Sequence, residues 1–182
     1  MADGNKEYDA IDIANYVISK SKSYGDKITN LKLQKLLYFL QAAFLVEKNK
    51  PLIKQPFERW SYGPVIADTY FFFNQFGYRQ IEEPVARVDI KLIDGKMNIE
   101  KTEFDENSID KADRKLIDEY YGQLYVFRAG QLVDLTHRQE AWKKFDENGD
   151  IAGHSAPKYT NDEIVEAFDN SENRIWKGKL NE

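Results

Sequence analysis

Cysteine is absent from all 182 residues. Disulfides and thiolate metal sites are therefore excluded, and a reducing cytosol is the expected compartment. Histidine is almost as scarce, with only His137 and His154. A zinc site would need carboxylates beside them, at no recognisable spacing. Long apolar runs are missing too. The longest, Leu36–Val46, is interrupted by Gln41 and falls short of the roughly 20 residues that span a bilayer. The first thirty residues hold no signal-peptide-like apolar run, so neither membrane nor export is expected. Positive charge is in deficit: 26 Lys and Arg against 31 Asp and Glu give a net charge of −5. Nucleic-acid binders draw most of their affinity from phosphate neutralisation, so DNA or RNA is not the expected partner. Lys20, Lys22, Lys27, Lys32 and Lys35 read as a solvated helix face.

Catalytic signatures are equally sparse. No glycine-rich phosphate loop and no nucleophile elbow occur. Asp146, Asn148 and Asp150 mimic the start of a calcium loop. The glycine then falls at the fourth position instead of the sixth, and Pro157 sits where the bidentate Glu belongs. These residues read as turn formers. His137 follows a predicted N-cap and reads as structural, and His154 reads as an exposed loop residue. The expectation is a non-enzyme without a cofactor or metal.

Aromatic residues are abundant, at 14%, and carry much of the apolar area available for a core or an interface. Periodicity predicts a helix over Asp9–Ser23, with Ile11, Ala14 and Ile18 on one face. A second, over Leu31–Glu47, is capped by Thr29 or Asn30. It is apolar around most of its circumference and belongs at the centre of a bundle; Lys32, Lys35 and Gln41 mark its polar edge. Phe57–Tyr62 reads as extended. Gly63-Pro64 then opens a third helix that runs to Phe76. Asp94-Gly95 between Val88–Ile93 and Lys96–Lys101 signals a β-hairpin. Such a hairpin should pack on a helix or pair with Phe57–Tyr62. A further helix follows Asn107 or Ser108, with Ile109, Ala112, Leu116 and Tyr120 on one stripe. Another lies over Arg128–Leu135. Thr136 with Gln139 and Thr160 with Glu163 fit capping boxes, and Asp146–Tyr159 reads as loop. The expected fold is mainly α: residues 1–7 disordered, 8–170 one compact helical domain with a small hairpin inserted near 85–101, and 171–182 a polar tail.

Three segments carry a resemblance. Ile28-Thr29-Asn30-Leu31-Lys32-Leu33-Gln34-Lys35-Leu36-Leu37-Tyr38 resembles the signature helix of the Panacea domain. Pro51-Leu52 followed by Phe57-Glu58-Arg59-Trp60-Ser61-Tyr62-Gly63-Pro64-Val65 resembles its second signature. Leu135-Thr136-His137 with Trp142 resembles its third, except that Ala141 stands where the family carries proline. The resemblance covers roughly Tyr8 to Phe168 and implies an antitoxin, in some members phage-associated. Such a protein neutralises a protein toxin encoded by a neighbouring gene through direct contact. A proteolysis adaptor that delivers its partner to a cellular protease is one alternative, and a DNA-binding regulator of its own promoter is another. Self-association into a homo-oligomer is open.

The candidate motif and partner-contact residues are Lys32, Lys35, Tyr38, Arg59, Trp60, Tyr62, Gly63, Pro64, Thr136, His137 and Trp142. Two readings compete for them. Trp60, Tyr62, Gly63 and Pro64 form either a structural corner or an interface, since aromatics and Arg are favoured anchors. Lys32, Lys35, Arg59 and His137 either line a groove for a partner segment or satisfy one another.

Overall fold

A computed structural model describes residues 6–147 and 156–178. His154, Asn148 and Asp150, residues 1–5 and Leu180 lie outside the described residues. The order is α1 (Ala10–Tyr24), α2 (Asn30–Lys48), β1 (Glu58–Trp60), β2 (Gly63–Val65), α3 (Ala67–Phe73), β3 (Arg87–Ile93), β4 (Lys96–Thr102), α4 (Lys111–Leu124), α5 (Ala129–His137), α6 (Glu140–Glu147) and α7 (Asn161–Ala167). The protein is mainly α with two small antiparallel hairpins. No helix among the described residues is long and apolar enough to cross a membrane.

The caps follow from local chemistry. Asp9 accepts from the Ile11 amide and Thr29 from the Lys32 amide, and each satisfies a donor that the first turn leaves without a partner. Thr160 and Glu163 form the expected reciprocal box at α7. Thr136 does not start a helix. It lies inside α5, fully buried, and its hydroxyl donates to the Val133 carbonyl at 2.8 Å. The α5 register continues through the Leu-Thr-His motif, so the cap signal was a coincidence of residue types. Helix α4 starts later than the cap reading placed it, after a single 3-10 turn at Glu106–Ser108. Its buried stripe is Asp113, Ile117, Tyr120, Tyr121 and Leu124.

Helix α2 is the axle of the molecule. It touches α1, α3, α4, α5, α7 and β2. Leu33, Leu36, Leu37, Leu40 and Phe44 are fully buried, and each such side chain contributes about 1.5–3 kcal/mol of transfer free energy. The expected polar edge of Lys32, Lys35 and Gln41 is buried as well, at most 6% exposed, and so is Gln34. Burial of polar groups is tolerated only with partners. Gln41 Oε1 accepts the Leu52 and Ile53 amides at 2.9 Å each. Gln34 donates to Asn30 and accepts the Ile66 amide at 3.1 Å. Lys32 binds Asp26 and the Tyr125 carbonyl. Of the five lysines read as a solvated face, Lys32 and Lys35 are interior.

Gly63-Pro64 does not open a helix. Gly63, at φ +87°, reverses the chain so that β2 pairs with β1, with Trp60 opposite Gly63 and Glu58 opposite Val65. The third helix begins only at Ala67 and is one short element ending in a 3-10 turn at Asn74–Phe76.

The hairpin β3–β4 forms where predicted. Asp94 and Gly95 both have positive φ, as a type I′ turn requires. It does not pair with Phe57–Tyr62, because β2 occupies one edge of β1 and the segment around Lys158 the other. Only its root is anchored, by Arg87 to Asp9 and Asp12 at the start of α1. Beyond Arg87 every residue of both strands is exposed.

Candidate functional site

The three motifs meet at the β1–β2 corner against α2 and α5. A Cβ at position 63 would collide with Thr136 Oγ1 and lie 3.2 Å from Lys35 Nζ. Glycine is thus required there by packing as well as by φ. Lys35 is wholly buried and its ammonium donates to the Pro64 carbonyl at 2.7 Å. Among the described residues no carboxylate pairs with it. Burial holds its amine well below the ordinary lysine value, because a charge without a counterion is costly in low dielectric.

Arg59, 1% exposed, is the other buried basic centre. Its guanidinium donates to the carbonyls of Ala141 (2.8 Å) and Lys158 (2.6 Å) and to Glu163 Oε1 (2.7 Å). Its flat faces lie 3.9 Å from the Phe145 ring centre and 4.1 Å from that of Tyr159. One side chain thereby ties β1 to α6, to α7 and to the segment before α7. Partial burial opposes the Glu163 charge. The Thr160 amide and Arg59 outweigh it and hold the carboxyl below the usual glutamate value.

The remaining motif residues complete this scaffold. Tyr38, wholly buried, donates to Gln139 Oε1 at 2.8 Å. Trp142 donates its indole N–H to the Trp60 carbonyl at 3.1 Å. The His137 ring stacks on Trp142 at 3.7 Å and 14°. Its Nε2 is buried without a hydrogen-bond partner. Burial, then the charge of Lys35, lowers its pKa below 6.5 against the opposing Ser61 backbone. Lys32 stands apart from this centre, on Asp26, which also accepts the Tyr121 hydroxyl at 2.8 Å. No hydrogen bond joins Lys32, Lys35, Arg59 and His137 to one another; each has its own surroundings.

Most of the candidates therefore face inward. Tyr62, 68% exposed, faces outward, with Trp60 and His137 half-buried. Around Trp60 and Tyr62 lies a surface that sequence reasoning resolved only in part. Leu31, Gln34, Trp60, Ser61, Tyr62, Val65 and Tyr70 line a pocket of about 160 Å³. Trp60 meets Tyr70 edge-on at 4.9 Å and lies 6.1 Å from Phe71, which is 48% exposed. Leu31, Tyr70 and Phe71 were missed as site residues. Their signal was the aromatic run of α3, which reads as core until the corner shows which side is covered. The pocket is too small for an ordinary metabolite and matches one large side chain. No group of three or more His, Cys, Asp or Glu among the described residues is arranged to hold a metal ion. The exposed geometry is suited to protein contact: rigid aromatic walls, a small socket with the buried Gln34 in its lining, and the exposed Ser61 beside it.

Comparison with known proteins agrees with the motifs. The profile of the family described as antitoxin SocA-like, Panacea domain, matches residues 33–143. Antitoxin SocA of Caulobacter vibrioides (strain NA1000 / CB15N) is 40% identical over 82 residues, which cover 45% of this chain and 44% of that protein. The match thus spans less than half the length of this curated relative. No solved structure matches the chain.

Proposed function

From the premise that this chain belongs to the antitoxin SocA-like, Panacea-domain family, we propose that it neutralises a protein toxin by direct contact through the aromatic corner of β1–β2 and α3. The observation that carries this reading is the socket beside Tyr62. It combines exposed aromatic area, a cavity of about 160 Å³ and a rigid base built from the family's own motifs. Hot spots of protein interfaces are enriched in Trp and Tyr around well-packed pockets. The partner segment would insert one large apolar side chain between Trp60, Tyr62 and Tyr70. The net charge of −5 favours a cationic toxin surface around that anchor.

The buried residues have a different task. Lys35, Gly63, Pro64, Thr136 and Trp142 hold the corner at a fixed angle, so the socket exists before the partner arrives. Preorganisation reduces the ordering cost of binding. The test is calorimetry between this protein and the product of the adjacent toxin-like reading frame. Tyr62→Ala should weaken binding at least tenfold, about 1.4 kcal/mol, while the thermal melt of the free protein stays unchanged. Wild-type affinity in Tyr62→Ala would refute this location of the contact.

A further inference from the structure

Six of the eleven exposed large hydrophobic side chains among the described residues lie on β3–β4: Val88, Ile90, Leu92, Ile93, Met97 and Ile99. The pairing places Ile90 opposite Ile99 and Leu92 opposite Met97. Because successive side chains alternate, Val88, Ile90, Leu92, Met97 and Ile99 share one face. Lys101, opposite Val88, closes that face at its root; the other face carries Asp89, Lys91, Ile93, Lys96, Asn98 and Glu100, and at its root Arg87 binds α1. The ribbon is therefore amphipathic, held by its polar root, with its apolar face uncovered. A two-stranded ribbon in water is marginal without a covering layer.

We propose that the cover is a second copy of this chain, with two hairpins stacked face to face about a twofold axis, each tip over the other's root. The root offers the place. The apolar face runs into a groove of about 760 Å³ whose lining includes the apolar Phe76, Val85 and Val88 and the charged Arg79 and Glu82. A seven-residue strand reaches about 24 Å, enough to carry Leu92 and Met97 from the tip of one ribbon into that groove on the other. The tip then brings Asp94 and Lys96 to Arg79 and Glu82. The Arg79 guanidinium hydrogen-bonds only the Phe76 and Gln75 carbonyls among the described residues, so it remains open to a carboxylate. An isologous arrangement satisfies both ends at once.

The area agrees. Five apolar side chains at roughly 100 Å² each give about 500 Å² per copy. The total of about 1,000 Å² meets the lower bound for a specific interface. This surface and the socket at Tyr62 share no lining residue, so the dimer and the toxin contact can fail separately.

Sedimentation equilibrium of the full chain from 1 to 100 µM tests the proposal. The wild type should be dimeric at the upper concentrations. The Leu92→Lys/Met97→Lys variant should be monomeric throughout, with an unchanged helical melt. The absence of native cysteine permits a second readout. Arg79→Cys/Asp94→Cys should form an intermolecular disulfide on oxidation, while each single variant should not. A wild type that stays monomeric, a charged variant that dimerises equally well, or a double-cysteine variant that does not cross-link overturns the proposal. So does loss of toxin binding in Leu92→Lys/Met97→Lys when the wild type is a monomer, which would assign the face to the toxin.

Discussion

Arg59 and Lys35 are both buried basic side chains from the family motifs, and their surroundings give them opposite thermodynamic signs. Arg59 has two carbonyl acceptors, a carboxylate and two ring faces. Lysine cannot reproduce that planar fork. Arg59→Lys should destabilise the protein by roughly 2–4 kcal/mol, since charge-linked hydrogen bonds contribute about 1.5–3 kcal/mol each. Urea unfolding followed by circular dichroism would measure it. Lys35 has one carbonyl and no carboxylate among the described residues. Its folded pKa lies well below 10.5. Between those two values the unfolded chain carries a proton that the folded chain lacks, so stability rises with pH across that window and levels off near 10.5. His137, with its pKa below 6.5, adds a loss of stability as pH falls under 6.5. Unfolding free energy should therefore rise with pH on the acid side of 10.5, with His137 contributing below 6.5. Lys35→Met should be at least as stable as the wild type at pH 7 and should lose most of that upward slope. An unchanged slope in Lys35→Met would show that the amine stays charged in the fold. Residue types revealed that these positions were unusual. They did not reveal burial, which depends on helices far away in sequence.

At the level of elements, the sequence was most legible where one local signal decided the outcome. Thr29 and the Thr160–Glu163 box cap helices, and Asp94-Gly95 turns a hairpin. It was least legible where a long-range partner decided. Gly63-Pro64 reads as a helix start on local grounds, but the Lys35 ammonium and the Gln34 amide carbonyl capture Pro64 and Ile66 and make the segment a strand. Gly63→Ala should destabilise by about 3 kcal/mol, at the upper end of ordinary substitutions. It must adopt positive φ and displace Thr136 and Lys35 at once. An urea midpoint within error of wild type would contradict this packing. The outer hairpin predicts the reverse. Replacing residues 90–99 with a two-residue turn removes no buried side chain, so the melt of a monomeric sample should shift by less than about 1 kcal/mol equivalent.

At the scale of the molecule, one hydrophobic cluster includes side chains from Tyr8 to Trp176 and encloses α2 on every side. A mainly helical fold and an aromatic-rich core were readable from periodicity and composition. Which motif residues reach the surface was not, since only the assembled corner exposes Tyr62 in the turn while burying Arg59 three residues before it. The family gives the role and the corner gives the proposed place of contact. Growth rescue tests that combination most directly. The toxin-like neighbour is expressed from an inducible promoter with the wild type, with Tyr62→Ala or with Phe71→Ala, and each antitoxin level is checked by immunoblot. The neighbour alone should arrest growth, the wild type should restore it, and both variants should fail at equal abundance. A neighbour that is harmless alone, or full rescue by both variants, would contradict it.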